Sequence, residues 1–319
     1  MKSAVVAVVG RTNAGKSTLV NRLVGEKVSI VSPVEQTTRN TVRGIVEDSR
    51  GQLVLLDTPG LHKAVGELGR LLNRMARRTA AGADILCVLF DASVLPQLED
   101  IGWMQRVRRE CPEKVLFVLN KADKAPFYEK EFLAAWKDSL QFADSSLPSE
   151  GSANGKLQPA TCNLQTVKWV KAVSVEDGGE NEVLDALFEM AEEGERLFPE
   201  DIVSDYPRRL AIADTIREKF LRHLHQEVPH EMGILVKDIK ENSGRWDVTA
   251  EILVNRASQK PIVIGKGAET IKAARKAAER ELREIFEVKV ALELWVRVEP
   301  NWMKNKRLLS EMGYLGGEI

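Results

Sequence analysis

A chain of 319 residues is long enough for two domains of ordinary size, each able to bury a core of its own. Its composition, 44% hydrophobic and 29% charged residues, is typical of soluble globular proteins. The sequence contains no run of about 18 apolar residues, which argues against a membrane-spanning helix. The three cysteines are widely spaced and fit no metal-ligand pattern, so we expect a reducing cytoplasm.

Charge is unevenly distributed along the chain, although the net charge is only −1. Residues 207–319 contain 21 Lys and Arg against 17 Asp and Glu, a net charge of +4, which leaves 25 against 30, or −5, for residues 1–206. The stretch 256–276 is more basic still, with Glu269 as its one acidic residue. Its cations are Arg256, Lys260, Lys266, Lys272, Arg275 and Lys276. Such an excess fits a polyanionic partner.

The first half of the chain alternates short β-rich runs with helical segments. Strands are predicted at 4–9, 42–47, 52–57, 85–90, 115–120 and 167–173, and helices at 16–23, 67–80 and 181–191. This alternation predicts an α/β domain with a mostly parallel sheet. The opening "MKSAVVAVVGR" has too short an apolar run for a signal peptide and is predicted as a buried strand.

Two irregular stretches suggest the organisation of the chain. Residues 144–165 lack periodicity and are rich in Ser, Gly, Pro and Asn, which predicts a flexible surface insertion. The acidic, proline-containing stretch 192–207 indicates a connection between domains. We therefore expect a first domain at 1–194, a linker at 195–206 and a second domain at 207–319.

The second half begins with a predicted helix at 208–225, followed by strands at 232–239 and 246–255. A short helix at 262–264, a long helix at 268–286 and the strand "VALELWVRV" complete the series. The order α, β, β, α, α, β predicts a smaller α+β domain.

Near the start, "GRTNAGKS" fits the pattern G-x-x-x-x-G-K-S between a predicted strand and a predicted helix. Gly10 and Gly15 allow a tight turn whose backbone N–H groups point at phosphates. We expect Lys16 to bridge the terminal phosphates and Ser17 to hold Mg²⁺. The other expected contacts of this loop are Ala14 and Thr18. The pattern predicts a nucleotide site but does not identify the base.

The base is indicated by "NKAD", which supplies Asn120, Lys121 and Asp123 at the end of an apolar strand. A carboxylate at Asp123 can accept hydrogen bonds from the ring N–H and the exocyclic amine of guanine, and adenine offers no such pair. Between the two motifs, "LLDTPG" places Asp57 to reach Mg²⁺ through water and Gly60 to offer its N–H to the γ-phosphate. The three motifs in this order predict a GTP site.

With these motifs in place, the sequence resembles the translation-factor-like GTPases, and specifically the Era family of ribosome-assembly GTPases. "QTTRN" matches the first switch of that family, which implies Thr38 as a second Mg²⁺ ligand, with Thr37 as the alternative. "AVSVEDG" matches the loop behind the guanine through Ser174 and Val175, although the family usually has alanine at the latter position. The resemblance continues through "FPEDIVSDYPRR", "IREK", "VIGKGAETIK" and "LELWVRV", and so covers nearly the whole chain except the insertion.

This resemblance implies a Mg²⁺-dependent GTPase. The implied metal ligands are Ser17, Thr38 and Asp57, and the implied participants in hydrolysis are Lys16, Thr38 and Gly60. Leu61 stands where many relatives have a glutamine that orients the attacking water, so we expect slow intrinsic hydrolysis. Asn13 matches an asparagine that supports K⁺ binding in related GTPases, which implies acceleration by K⁺; an ordinary loop-bracing amide is the alternative.

A second glycine loop, "VIGKGAETIK", lies between the two later helices and makes the second domain resemble a type II KH domain. In KH domains this loop clamps the backbone of about four single-stranded nucleotides. The residues expected to contact RNA are Gly265, Lys266, Gly267, Ala268 and Lys272. The usual pattern is G-x-x-G, so Ala268 adds a methyl group at the fourth place. No second guanine-type motif follows, which disfavours another nucleotide site.

By resemblance, the RNA is single-stranded small-subunit ribosomal RNA near its 3′ end, bound during assembly of the small ribosomal subunit. Hydrolysis is expected to change how the two domains sit together, so that the protein binds and then leaves. We expect a cytoplasmic monomer that does not bind DNA; peripheral contact with the inner face of the cell membrane is implied by the resemblance alone. The alternatives are a GTP-dependent scaffold whose degenerate KH domain docks protein or membrane, and a metabolic P-loop kinase or ATPase.

Three further residues carry weaker signals. His62 follows the "LLDTPG" motif, which we call the second switch, but has no partner in view. It is therefore predicted as an exposed loop residue and not as a base. Trp295 and Trp302 are candidates for stacking on RNA bases. The alternation of "LELWVRV" instead favours a place in the sheet or the core for Trp295.

Overall fold

The structure is a computed structural model that describes residues 1–34, 37–61, 66–139 and 167–315. The first half of the described chain forms a sheet covered by helices on both faces. Its strands are β1 (Lys2–Gly10), β2 (Val42–Asp48), β3 (Gly51–Asp57), β4 (Ile85–Asp91), β5 (Val115–Asn120), β6 (Val167–Ala172) and β7 (Glu192–Glu193). Its helices are α1 (Lys16–Val24), α2 (Gly66–Ala81), α3 (Leu98–Glu110), α4 (Glu129–Asp138) and α5 (Asn181–Met190).

The sheet has the order β2, β3, β1, β4, β5, β6, with β7 paired to β1. β2 runs antiparallel to β3, whereas β3, β1, β4, β5 and β6 are parallel. Helices α1 and α5 cover one face and α2, α3 and α4 the other, which explains why the strands are almost continuously apolar. Five parallel strands end at one edge of the sheet, with Gly10, Asp57, Asp91, Asn120 and Ala172 as their last residues.

The α/β fold predicted for the first half is confirmed, because each predicted strand overlaps an observed one and the predicted helices correspond to α1, α2 and α5. Helices α3 and α4 were not among the predictions, since their apolar stripes are short. In α3, for example, the buried apolar residues are Trp103, Met104 and Val107. The predicted insertion at 144–165 and His62 lie outside the described residues.

The segment 195–206, predicted as a linker, lies along the outer edge of β2. Gln52 Oε1 accepts a hydrogen bond from Phe198 N (2.8 Å), and Ile45 N donates to Val203 O (2.9 Å). The contact with Ile45 satisfies a backbone group of an edge strand that would otherwise be exposed, and the contact with Gln52 of β3 holds the segment beside it. They also fix the start of the second half relative to the first sheet.

The second half forms a three-stranded sheet with helices on one face. Its elements are α6 (Arg208–Leu221), α7 (Val228–Glu231), β8 (Gly233–Asn242), β9 (Arg245–Val254), α8 (Gln259–Ile264), α9 (Glu269–Phe286), β10 (Lys289–Val298) and α10 (Lys306–Glu311). β9 is central, parallel to β10 and antiparallel to β8. The predicted order α, β, β, α, α, β is confirmed, with α7 and α10 as additions. No helix in the described ranges is both long enough and apolar enough to cross a membrane.

The other face of the small sheet packs against helix α2 of the first half. One buried apolar cluster joins them: Leu68, Leu72, Leu235, Leu253, Trp302, Leu308, Leu309, Met312 and Tyr314. Helix α2 follows closely on the "DTPG" loop that is expected to respond to hydrolysis. The cluster therefore links that loop to the second domain by packing as well as by the chain.

The two tryptophans near the end of the chain lie in opposite environments. Trp302 is fully buried and its indole N–H donates to Glu231 O (2.8 Å), so it is not available to stack on RNA bases. Trp295 lies in the sheet as predicted, but its exposure of 60% shows that it is not in the core. Leu294 and Val296, its neighbours in β10, turn towards the helices, which leaves Trp295 on the opposite face.

We expect Trp302→Ala to destabilise the protein far more than Trp295→Ala. Truncating a buried tryptophan costs about 3–5 kcal/mol, because a cavity remains and a hydrogen bond is lost. Truncating an exposed one changes the free energy of unfolding by about 0.5 kcal/mol or less. Urea unfolding followed by circular dichroism measures both variants, and equal shifts of the midpoint would contradict the burial of Trp302.

Candidate functional site

The loop between β1 and α1 is shaped by two glycines with positive φ angles. Gly10 has φ 149° and Gly15 has φ 100°, conformations that side chains strongly disfavour. A Cβ atom at Gly10 would overlap Leu89 O, and one at Gly15 would overlap the side-chain amide of Asn120. Both positions therefore require glycine, and the loop wraps closely enough to surround a phosphate.

An open cleft of about 410 Å³ lies against this loop. It is bounded by three segments: the phosphate loop, the loop after β3, and the first switch, which we define as the described residues 25–34 and 37–41 between α1 and β2. The lining residues are Thr12, Asn13, Gly15, Lys16, Ser17, Thr18, Ile30, Val31, Ser32, Thr37, Thr38 and Gly60. Ala14 is fully buried and does not line the cleft.

Lys16, at the start of α1, is buried although it carries an ammonium group. Its Nζ donates to Arg11 O (2.8 Å). Burial lowers the pKa of Lys16 to about 8, while the nearby charge of Asp57 acts in the opposite direction. A poorly compensated cation at the mouth of a phosphate loop favours an anionic ligand.

Three oxygen-bearing side chains converge beside Lys16. Ser17 Oγ lies 2.9 Å from Thr38 Oγ1 and donates to Asp57 Oδ2 (2.7 Å). Thr37, the alternative ligand, instead donates its hydroxyl to Val34 O (2.5 Å). The structure thus brings Thr38 to Ser17 and Asp57 and directs the hydroxyl of Thr37 elsewhere.

The environment of Asp57 fits a divalent cation. Burial raises the pKa of its carboxyl, although the hydrogen bond from Ser17 and the charge of Lys16 oppose this rise. Its Oδ1 atom is buried, and no described residue reaches it with hydrogen-bonding geometry, although the hydroxyl of Ser29 is near enough to favour the charged form. Two hydroxyls and a carboxylate form a hard oxygen donor set of the kind Mg²⁺ prefers.

The loop after β3 pairs with the phosphate loop through the main chain. Leu61 N donates to Gly10 O (3.0 Å), and Thr12 N donates to Leu61 O (3.2 Å). A Cβ at Gly60 would approach Thr12 N to 2.7 Å and Lys16 Nζ to 2.9 Å, so glycine allows this close approach. The buried side chain of Leu61 has no polar group with which to orient water.

The "NKAD" motif and the loop after β6 meet at the same edge of the sheet. Asn120 Nδ2 donates to Ala14 O (2.8 Å), and its Oδ1 accepts from Ser174 Oγ (2.8 Å) and Ser174 N (3.1 Å). Lys121 Nζ pairs with Asp91 Oδ2 (2.5 Å). Asn120 therefore fastens the loop of Ser174 to the phosphate loop.

The carboxylate and the backing residue of the predicted guanine site are solvent-accessible. Asp123 is exposed, as a group that binds a base entering from solvent must be. Val175 is 68% exposed, and its carbonyl accepts from Arg22 Nη2 (3.3 Å). A side chain this exposed can change without disturbing the core, which agrees with a contact made through the main chain.

Asn13 connects the phosphate loop to the first switch. It adopts a positive φ of 60°, and its side-chain amide donates to Pro33 O (3.0 Å). An amide and a switch carbonyl thus face each other at the entrance of the cleft. The contact is compatible with both predictions for Asn13, loop bracing and K⁺ binding.

The second glycine loop adopts an unusual backbone between α8 and α9. Gly265 and Gly267 have φ angles of 78° and 59°, and Ala268 also has a positive φ, 63°. The predicted helix at 268–286 is wrong by one residue in an informative way: Ala268 precedes α9 in a left-handed conformation that costs a non-glycine residue roughly 1–2 kcal/mol. Lys266 is exposed, and Lys272 Nζ donates to Gly267 O (3.2 Å).

Sequence reasoning missed two buried arginines that join the first switch to the second domain. Arg39 is fully buried, and its guanidinium donates to Met232 O (2.8 Å) and His230 O (2.8 Å). Arg217 of α6 is also buried and donates to Thr37 O. Arg39 is part of "QTTRN", but its sequence context gives no sign of its partners; Arg217 lies 180 positions from Thr37.

The described chain therefore combines a phosphate loop, a guanine motif and two switch loops with a three-stranded domain that carries a glycine loop. Residues 5–121 match the family model described as 50S ribosome-binding GTPase, and residues 227–303 match the model for the KH domain. Fold and site together define a P-loop GTPase joined to a KH domain.

Relatives of nearly full length identify the family. The chain is 34% identical over 315 residues to GTPase Era of Ruminiclostridium cellulolyticum, covering 98% of this chain and 97% of the relative. It is 36% identical over 326 residues to GTPase Era of Treponema denticola, covering 98% and 100%. The chain belongs to the Era family of GTPases.

Two solved structures have the same arrangement of domains. One is Era in complex with MgGDPNP and nucleotides 1506–1542 of 16S ribosomal RNA, with a TM-score of 0.83, 31% identity, and coverage of 98% of this chain and 99% of that one. The other is a variant of Aquifex aeolicus Era bound to GDP and AlF₄⁻, with a TM-score of 0.83, 32% identity and the same coverage.

Proposed function

We propose that this protein is a GTP-hydrolysing switch that binds single-stranded small-subunit ribosomal RNA near its 3′ end and assists assembly of the small ribosomal subunit. The observation that carries the proposal is a direct hydrogen bond between the KH domain and the first switch, which Arg217 donates to Thr37 O. Support for the ligands comes from the related Era bound to MgGDPNP and a 16S ribosomal RNA fragment.

In this proposal the convergent oxygens hold the metal and Lys16 holds the phosphates. Ser17 and Thr38 would bind Mg²⁺ directly and Asp57 through water. Bound Mg²⁺ would neutralise charge on the β- and γ-phosphate oxygens. Lys16 supplies a cation that burial leaves without full compensation, and the N–H of Gly60 is available to the γ-phosphate. Because Leu61 cannot orient water, intrinsic hydrolysis is slow.

The remaining proposed nucleotide contacts recognise the base. Asp123 accepts hydrogen bonds from guanine, Lys121 lies against the nucleotide, and Ser174 and Val175 present their loop to the base. Asn120 positions this group, because it joins the loop of Ser174 to the phosphate loop. The other proposed contacts, through the phosphate loop, are Gly10, Asn13, Ala14, Gly15 and Thr18.

The KH loop is proposed to clamp RNA backbone through Gly265, Lys266, Gly267, Ala268 and Lys272. Gly267 has no atom within 4 Å of a Cβ built at its position, so the loop is open for a ligand there. Lys272 braces the loop through Gly267 O and keeps its charge beside it. Ala268 stands at the place of the fourth glycine of the usual pattern and has a φ of 63°, in the left-handed region that favours glycine.

Several finer expectations also stay proposals. We divide the chain into domains at 1–194 and 207–319, joined by 195–206. Acceleration by K⁺ would use Asn13 and the carbonyl of Pro33, which already face each other. We also expect a monomer that lies in the cytoplasm, with peripheral contact at the inner face of the cell membrane as the resemblance implies.

We expect Asp123→Asn to shift base preference from guanine towards xanthine nucleotides. An amide cannot accept both hydrogen bonds from guanine, and losing a charge-assisted contact costs about 1.5–3 kcal/mol, or roughly 10- to 150-fold in affinity. Fluorescence titration with GTP, xanthosine triphosphate and ATP measures the shift, with Asp138→Asn on α4 as the matched control. A wild-type protein that binds GTP and ATP equally would refute the guanine assignment.

We expect Gly267→Asp to abolish most RNA binding and Lys266→Ala to weaken it moderately. The aspartate adds a negative charge where phosphate would lie, whereas loss of Lys266 removes one contact and reduces the salt dependence. The full-length protein is titrated with a single-stranded oligonucleotide from the ribosomal RNA 3′ end.

The control for that titration is Gly244→Asp in the turn between β8 and β9. Gly244 has a similar φ of 73° and equally open surroundings, so the backbone cost of the two substitutions is matched. If Gly267→Asp binds RNA as well as Gly244→Asp does, the loop does not clamp RNA, and the domain would dock protein or membrane instead.

A further inference from the structure

A row of arginines lies on the exposed side of helix α2. Arg70, Arg74 and Arg77 are exposed, and their spacing of i, i+4 and i+7 places them on one side of the helix. The apolar residues of α2 face elsewhere: Leu68 and Leu72, for example, pack in the cluster shared with the second domain. The row is therefore a solvent-facing surface on the helix that follows the second switch loop.

Helix α3, whose own charges sum to zero, places Arg106 and Arg109 beside this row. Burial lowers the pKa of Arg106, and the charges of Arg77 and Arg109 lower it further, whereas the charge of Glu110 acts in the opposite direction. Arg77 of α2 and Arg106 of α3 are therefore close enough to repel each other. Glu110 forms ion pairs with Arg106 (2.8 Å) and Arg109 (3.7 Å). Within the described ranges, no carboxylate forms an ion pair with Arg70, Arg74 or Arg77.

The sign of this surface is opposite to that of its surroundings. Helix α2 carries four arginines and one glutamate, a net charge of +3, whereas residues 1–206 as a whole carry −5. Like charges at helical neighbour positions destabilise a helix by about 0.2–0.5 kcal/mol per pair. An anionic partner that lies against such a cluster would relieve this repulsion.

Two features favour a nucleic-acid backbone over a lipid surface as that partner. The cations of α2 are all arginines, whose planar guanidinium groups bind phosphate oxygens in pairs. A helix that lies on a membrane also inserts large apolar side chains, and none of the exposed large apolar residues in the described chain lies on α2. On α3 the one such residue is Leu98, at the end of the helix opposite Arg106 and Arg109.

We propose that Arg70, Arg74 and Arg77, together with Arg106 and Arg109, form a second RNA-binding surface on the GTPase domain, which contacts phosphates of the RNA held by the KH loop. The choice of RNA as the ligand rests on the proposed function. Because α2 follows the second switch loop and packs on the second domain, RNA on this surface contacts an element whose position depends on the nucleotide.

The test compares two matched double variants of the full-length protein. Arg74→Ala/Arg77→Ala removes two cations from the surface, and Lys130→Ala/Lys137→Ala removes two exposed cations from α4. Each protein, with Mg²⁺ and a non-hydrolysable GTP analogue, is titrated over a range of salt concentrations. One RNA is a short single strand that fills the KH loop alone. The other is as long as the 1506–1542 fragment bound by the related Era.

The arginine variant should bind the longer RNA about 10-fold more weakly, and the slope of log affinity against log salt should fall by about 1.4, or 0.7 for each lost phosphate contact. Its affinity for the short RNA should be unchanged. Arg74→Lys/Arg77→Lys should restore most of the slope, because lysine keeps the charge. The lysine-to-alanine control should bind both RNAs as the wild type does.

Three outcomes would overturn the inference. The first is an unchanged affinity of the arginine variant for the longer RNA, and the second is an equal loss in the control variant. The third is an arginine variant that binds both RNAs as the wild type does but binds vesicles of equal parts phosphatidylglycerol and phosphatidylcholine more weakly, which would identify a membrane contact. A wild-type protein that fails to bind the short RNA would instead refute the proposed function, and the inference with it.

Discussion

The main chain of the first switch is held by arginines that lie buried between the two domains. Arg217 of the KH domain donates to Thr37 O, and the next residue, Thr38, contacts Ser17 through its hydroxyl. Arg39 points the other way and donates to carbonyls at the end of the short helix α7. Each of these carbonyls accepts a hydrogen bond from a charged donor that comes from the other domain.

Burying two cations so close together is costly unless the surroundings compensate them. Burial, and then the charge of Arg39, lower the pKa of Arg217 to about 9. Asp214 is buried nearby and receives a hydrogen bond from Tyr206 (2.7 Å), which supplies a carboxylate in the same region. Arg39 and Arg217 reach their carbonyl partners only when the first switch lies against the second domain. The interface is therefore stable in one arrangement of that switch.

The second switch reaches the KH domain by a different kind of contact. Leu68 and Leu72 of α2 pack against Trp302 in the shared apolar cluster, while the loop before α2 pairs with the phosphate loop through Leu61. The first switch thus contacts the second domain directly, and the loop of Gly60 is connected to that domain through α2, the next helix along the chain. Loss of the γ-phosphate would withdraw one polar and one apolar support, which is how hydrolysis could change the way the domains sit together.

Local motifs made the nucleotide site readable from the sequence. Gly10, Gly15, Ser17 and Asp57 follow one another at spacings that a strand, a tight turn and a helix dictate, and the parallel sheet brings Asn120 to the same edge. Contacts between domains have no such local signature.

In α6, "IREK" contains Arg217, Glu218 and Lys219, three consecutive charged residues that would be expected on the surface, yet all three are buried. Arg217 and Glu218 contact Thr37 and Lys27 of the first domain, whereas Lys219 pairs with Glu281 of the second. Ala268 was expected both in the KH loop and at the start of the long helix, and it lies in the loop. Its high helix propensity gives no sign of the left-handed turn that it occupies.

The affinity of the Arg217→Met variant for GTP and GDP tests the coupling most directly, with Arg222→Met, an exposed arginine at the end of the same helix, as control. A hydrogen bond from a charged donor contributes about 1.5–3 kcal/mol. Equilibrium titration in Mg²⁺ should therefore show about 10- to 150-fold weaker binding of a non-hydrolysable GTP analogue. The affinity for GDP should be unchanged, because GDP has no γ-phosphate for the first switch to contact. Equal losses for both nucleotides, or no loss for either, would contradict the account.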